Sequence, residues 1–266
     1  MSERSWGGPI ATALHPLLIC LLGGFQLLAS GNPVSVRKGG KTELLLAALA
    51  LHDGHRASRE SLLEGLWPDT DPNRANQSLS TLLHGLRQQF GGVLHGDHPV
   101  LYLAGGYELN TGAGVAVDIA QFDRSVATAE RRMRAGDAAA AVPCYEKALE
   151  FYRGDLVSGD DARAVIERER LRSRYLSVLA RLATHHLESG DCQGALECAL
   201  QLLRQDPCRE DAHRLVMRCH VRLGARSLAL RQYRICRQVL DGEYGVLPEP
   251  ATEALFAQIR LDPGAV

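Results

Sequence analysis

The residues best suited to do chemistry lie between Arg74 and Phe90. Counted at about 100° per residue, Leu79, Leu83, Leu86 and Phe90 share one stripe of a helix, and Leu82 widens it. Opposite them fall Arg74, Gln77, Thr81, His84 and Gln88. That outward face carries no acid, although acids flank the helix. Side chains of these types reach base edges and phosphates in the major groove of a duplex. An ordinary solvated helix face is the alternative reading. Arg87 falls nearer the edge of the face, where a phosphate is the better partner.

Other constellations carry less. Gly39-Gly40-Lys41-Thr42 follows the strand-like Val34-Ser35-Val36 and resembles the end of a phosphate-binding loop. That loop needs a glycine five residues before Gly40, and Ser35 stands there, so the stretch reads as the start of a helix. Ten histidines and seven cysteines invite a metal. Yet Cys219 and His220 are adjacent and point to different helix faces, as do His185 and His186, and Cys208 and His213 complete no zinc-finger spacing. Neither a metal nor a cofactor is expected. With no GxSxG or HExxH string, nothing supports an enzyme. The odd cysteine count without a CxxC argues against a disulfide framework and for a reducing cytoplasm.

The elements that must position the polar face belong to an ordinary globular chain. Its 266 residues are 45% hydrophobic and 23% charged, with 30 Lys plus Arg against 31 Asp plus Glu. This excludes a disordered or fibrous protein and suggests one or two domains. The near-zero net charge does not advertise nucleic acid or membrane. LLICLLGGFQLL, residues 17–28, could be a signal-peptide core, but the preceding stretch pairs Arg4 with Glu3 and is barely basic. The run is also too short and too Gly-broken to span a bilayer, so it reads as a buried first strand, and no membrane partner is expected.

Residues 1–16 read as a loose tail, and residues 17–112 as one domain. In it, Gly31-Asn32-Pro33 between apolar runs suggests a hairpin. Three helical patterns follow. The first runs from Lys41 to His52 with Leu44, Leu45, Ala48 and Leu51 on one face. The second starts at Ser58 and stops at Trp67-Pro68, and the third starts at Asp71-Pro72. Val93-Leu94, Val100–Leu103 and Tyr107–Leu109 then read as a closing β-hairpin. Three helices and such a hairpin make a winged helix, whose third helix reads the groove. Residues 113–262 read as all-α and tetratricopeptide-like. Gly136-Asp137 precedes Ala141 and Tyr145; Gly190-Asp191 precedes Ala195 and Ala199; Gly224 precedes Ala229 and Tyr233. The last two copies are 34 residues apart, the tetratricopeptide period, with the glycines expected to let paired helices approach, Gly190 and Gly224 at tight turns, and the alanines expected to keep the crossings tight. The first two are farther apart, which implies an irregular insertion around Phe151–Ala164.

These stretches carry a family resemblance. LLGGFQLLASGNPVSV, KTELLLAALALHDG, SRESLLEGLWPD, ANQSLSTLLHGLRQQFG and GGYELN, then VDIAQFDR, AVPCYEKALEFYRGDL and LALRQYRICRQVLDGEYGVLPEPATEALFAQI, occur in that order. Over residues 17–262 the chain resembles the antibiotic regulatory proteins of the actinobacterial type. Those join an OmpR-like winged helix to a bacterial transcriptional activator domain. The resemblance implies a sequence-specific, cytoplasmic, nucleoid-associated activator that binds direct repeats in double-stranded DNA. It also implies a homodimer on DNA and contact with RNA polymerase. Arg37, Lys38, Lys41, Arg56 and Arg59 would position the DNA backbone, and His95 and His98, near the hairpin tip, would approach the minor groove.

Two features depart from the pattern. Relatives often carry Arg where this chain has Gly85 and Gln88, and Gly costs about 1 kcal/mol of helix propensity against Ala. Residues 1–117 hold eight basic and nine acidic side chains, so the winged helix is not basic. Both features also fit a rival reading, a tetratricopeptide-like protein-interaction adaptor whose winged helix is degenerate.

Overall fold

A computed structural model of the chain describes residues 15–157 and 162–265. The chain forms two compact units, one running to Leu171 and the other from Arg172. A small β-rich winged helix precedes a helical, tetratricopeptide-like region. The tail expected at residues 1–16 lies outside the described residues except for His15 and Pro16.

The apolar run at residues 17–28 forms two strands rather than one. β1 (Leu17–Cys20) and β2 (Gln26–Ala29) pair antiparallel, Leu18 opposite Leu28. Between them Gly23 and Gly24 turn the chain at φ +83° and +118°, a backbone region open chiefly to glycine. β3 (Asn32–Val34) pairs with β2, so the expected hairpin exists, but its turn is Ser30-Gly31 and Pro33 sits in the edge strand. The fourth strand, β7 (Val115–Val117), pairs parallel with β1 on its other side.

Helix α1 (Lys41–Leu51) buries Leu45, Leu46, Leu49 and Ala50, whereas Leu44 is 42% and Leu51 38% exposed. The expected face was therefore wrong for this helix. Residues 44–51 are apolar all round, so no polar position sets the phase, and packing chooses the face. β4 (Arg56–Ser58) leads into α2 (Arg59–Leu66), where the Ser58 hydroxyl accepts from the Ser61 N–H at 3.1 Å. Helix α3 (Pro72–Phe90) follows. β5 (Val100–Leu103) and β6 (Gly106–Leu109) form the wing, and β4 pairs with β6 to complete a second sheet.

The helical region comprises α4 (Asp118–Arg134), α5 (Ala138–Phe151), α6 (Ala162–Glu188), α7 (Cys192–Gln205), α8 (Glu210–Arg222), α9 (Arg226–Tyr244) and α10 (Pro250–Leu261). Gly136, Gly190 and Gly224 lie between successive helices, each at positive φ. A Cβ built on any of them meets nothing within 4 Å, so these glycines serve the left-handed turn, not the close approach expected of them. Ala141, Ala195 and Ala229 are all fully buried, as expected of residues at tight helix crossings. The insertion expected near residues 151–164 shows an irregular Tyr152–Val157, bridged at Leu156 to Leu22; residues 158–161 lie outside the description.

Asp118 joins the winged sheet to the first of these helices. Fully buried, it accepts from the backbone N–H groups of Leu21 and Leu22 at 2.8 and 2.9 Å, just past β1. Burial outweighs those bonds and pushes its carboxyl up to about 6.

Candidate nucleic-acid interface

Helix α3 begins where its sequence says it should. The Asp71 carboxylate accepts from the N–H groups of Asn73 and Arg74 at 3.0 and 3.2 Å, and Pro72 occupies the first turn, where no N–H is needed. Ala75, Leu79, Leu86 and Phe90 are buried beneath it, with Leu82 and Leu83 half-buried. That anchoring leaves Arg74, Gln77, Thr81, His84, Arg87 and Gln88 all exposed along the outer side.

Part of this face is a groove wall. Arg74, Gln77, Ser78, Thr81 and Leu82 line an open groove whose other side is Lys41, at the start of α1, and Trp67, at the end of α2. The Thr81 hydroxyl donates to the Gln77 carbonyl at 2.9 Å, which fixes its rotamer and keeps its oxygen able to accept from outside. Lys41 Nζ donates to the Leu66 carbonyl and lies 5.6 Å from the Trp67 ring centroid. Its charge thus sits at the groove rim, steered there by a helix C-terminus and an aromatic face. His84, Arg87 and Gln88 continue the exposed face one to two turns beyond the groove.

The remaining cations are spread more widely. Arg37 and Lys38 are exposed in the loop before α1. Arg59 Nε donates to Asn76 Oδ1 at 2.9 Å, so it braces α3 from α2. Arg56 reaches from β4 and donates to the Leu103 and Ala104 carbonyls, both at 2.9 Å. That puts its guanidinium at the tip of the wing.

His95 and His98 are not at that tip. The hairpin turns at Ala104-Gly105, whereas His95 lies in the turn that ends α3 and the His98 carbonyl accepts from Asn110 Nδ2 at 2.9 Å, at the base of the wing. Val93-Leu94 forms no strand: the Leu94 N–H donates to the Phe90 carbonyl, continuing the helical end. His95-Gly96-Asp97 forms a turn that terminates a helix rather than closing a hairpin, with Gly96 N–H donating to Gly91 O at 2.7 Å.

Two features were not singled out from the sequence. Trp67 signalled only a helix stop, yet its ring shapes the groove. Tyr102, 55% exposed, packs on Tyr107 with ring centroids 4.9 Å apart and gives the wing an aromatic outer surface. An alternating strand pattern carries a signal for Tyr102; nothing local signals Trp67. At Gly85 a Cβ would enter open space, so no packing demand explains this glycine. Among the described residues, no three His, Cys, Asp or Glu side chains gather as a metal site. Burial pushes the Cys20 and Cys236 thiols up to about 12, which makes them poor nucleophiles.

The scaffold thus presents a third helix and a wing on one side of the chain's order and paired helices on the other. The family described as bacterial transcriptional activator domain matches residues 117–260, more than half of the chain, and the chain belongs to that family. Among its relatives, the regulatory protein AfsR of Streptomyces coelicolor is 30% identical over 241 residues, covering 90% of this chain and 23% of AfsR. The regulatory protein DnrI of Streptomyces peucetius is 28% identical, covering 90% of this chain and 91% of DnrI. The chain therefore spans about a quarter of AfsR and nearly all of DnrI. The solved structure of Mycobacterium tuberculosis EmbR, in complex with a low-affinity phosphopeptide, shares the fold. Its TM-score is 0.64 at 22% identity, over 92% of this chain and 65% of that one. Among the described residues no helix is long and apolar enough to cross a membrane.

Proposed function

We propose that this protein is a sequence-specific DNA-binding transcriptional activator that lays α3 in the major groove. The observation that carries the reading is the exposed, acid-free face of a capped and anchored helix, with its groove and basic rim. Gln77, Thr81 and His84 would meet base edges, Arg74 and Gln88 would extend that contact, and Arg87 would meet a phosphate. Arg37, Lys38 and Lys41 would hold the backbone beside α1, Arg59 would keep α3 in place, and Arg56 would bring a charge to the wing tip. The winged-helix module would be residues 17–112 and the activator domain residues 113–262. The names of AfsR and DnrI as regulatory proteins support this reading.

By the same reading the protein acts in the cytoplasm, on the nucleoid. It binds direct repeats as a homodimer, contacts RNA polymerase through its helical region and catalyses no reaction. The test is a gel shift on the DNA upstream of its own gene, repeated with Gln77→Ala and His84→Ala. Each substitution should cost roughly 1–3 kcal/mol on the operator and relax sequence preference. Equal losses on operator and random duplex would show that α3 does not read bases. No binding to either, with the helical region still capturing a protein, would favour the adaptor.

A further inference from the structure

Helix α8 carries Arg214, Arg218 and Arg222 at four-residue spacing, so the three follow one face. The outer two are tethered to different neighbours. Arg214 Nη1 donates to Thr252 Oγ1 at 2.8 Å and to Glu249 Oε2 at 3.0 Å, at the start of α10. Arg222 Nη1 donates to the Leu187 carbonyl at 2.6 Å, in the last turn of α6. Arg218 stands between them, half-buried, with no hydrogen-bond or ion-pair partner among the described residues. Burial first, then the charges of Arg214 and Arg222, hold its pKa below the ordinary arginine value, and no carboxylate offsets them. A half-buried cation with like charges one turn away on each side is under-compensated.

We propose that Arg218, together with the exposed Arg222, whose described bond uses Nη1 alone, forms an anion-binding site for paired carboxylates on an extended acidic segment of a partner protein. The spacing fits that occupant. Residues four apart on a helix are about 6 Å apart along its axis, and same-side residues of an extended chain are about 7 Å apart. A carboxylate on every second residue therefore meets one guanidinium and then the next, each through charge-assisted hydrogen bonds. Leu223, half-exposed beside Arg222, adds an apolar contact for such a chain. The site lies within the C-terminal unit and does not depend on the assignment of α3.

The experiment uses the full chain and fluorescence anisotropy. The probes are a short labelled peptide alternating Glu and Ser, the same peptide with Gln for Glu, and a random-sequence duplex. The Glu peptide should bind and the Gln peptide should not. Arg218→Gln should weaken the Glu peptide roughly tenfold to a hundredfold. Arg231→Gln, at an exposed arginine on α9, should leave it unchanged. Without peptide, Arg218→Gln should melt no lower than the parent, because it removes an uncompensated charge. Equal binding of the two peptides, unchanged binding by Arg218→Gln, or a lower melting temperature for that variant would each overturn the proposal. Binding of the duplex alone, lost in Arg218→Gln, would overturn it in favour of nucleic-acid phosphate.

Discussion

The two ends of the molecule use positive charge differently. In the winged region the side chains of Arg37, Lys38, Arg74 and Arg87 have no hydrogen-bond or ion-pair partner among the described residues. In the helical region most arginines with a described contact hold helices together. Arg170 pairs with Asp123 across to α4, Arg172 donates to the Gln205 carbonyl at the end of α7, and Arg226 donates to the carbonyls of Ile259 and Arg260 at the end of α10. Residues 118–266 contain 22 basic and 22 acidic side chains, so this region is as near to neutral as the winged one. Net charge therefore says little about either region. What separates the cations within each region is whether they are already committed.

That difference has a physical consequence. A cation paired with a carboxylate has spent most of its charge interaction on the fold and adds little to a distant phosphate, whereas one bonded to a single carbonyl keeps its other donors and its charge. A solvated one keeps its interaction for a ligand. The few uncommitted cations of the winged region thus matter more than their number suggests, and among the uncommitted cations described in the helical region Arg218 stands out by being half-buried.

The largest effect expected concerns Asp118, which ties the end of β1 to α4. Its carboxyl has an ordinary value of 3.8 and is pushed up to about 6 by burial in the fold. Between those values the native state holds the proton more tightly than the unfolded chain. Its contribution to stability therefore grows as pH falls through about 6 and is complete near 4. At about 1.4 kcal/mol per pH unit this amounts to roughly 3 kcal/mol. Asp118→Asn cannot titrate, so urea midpoints of the two proteins, compared across pH 4–7, should diverge in that window. Parallel curves would mean that the N–H bonds from Leu21, Leu22 and Ile119 keep the carboxyl at its ordinary value.

A committed arginine should come next. Arg214→Ala leaves Glu210, whose side chain is 11% exposed, and Glu249 without their cation. The loss should be about 2 kcal/mol in urea, with no change in DNA affinity. An equal stability loss from Arg74→Ala would erase the contrast between the regions.

How much of this was legible depended on how local the signal was. The start of α3 was legible because Asp71-Pro72 acts through bonds two and three residues away. So was the place of Gly190 and Gly224 at turns between helices, because a positive φ needs only the residue itself, although the close approach also expected of them was not found. β7 was not, since three residues flanked by a glycine and a helix acquire meaning only by pairing with β1, almost a hundred residues earlier. The engagement of Lys41, Arg56 and Arg59 was hidden for the same reason: sequence shows a charge but not the carbonyl or amide it has already found. His95 and His98 were displaced because the same Gly-Asp turn chemistry can end a helix or close a hairpin.

The smallest effect, and the one that bears most directly on the contrast, is the salt dependence of DNA binding. Each phosphate neutralised releases counterions and adds about −0.9 to the slope of log affinity against log salt. With so few uncommitted cations, each protomer should contact only about three to five phosphates, and the slope should be correspondingly shallow. Arg87→Ala removes one exposed, unpartnered cation and should flatten that slope by about one contact while leaving the melting temperature unchanged. Arg59→Ala should act differently. Its guanidinium is held by Asn76, so its loss should loosen α3 and lower affinity with little change in slope. If Arg59→Ala flattens the slope as much as Arg87→Ala does, then Arg59 leaves Asn76 for a phosphate when DNA arrives, and the division between committed and uncommitted cations fails in the winged region.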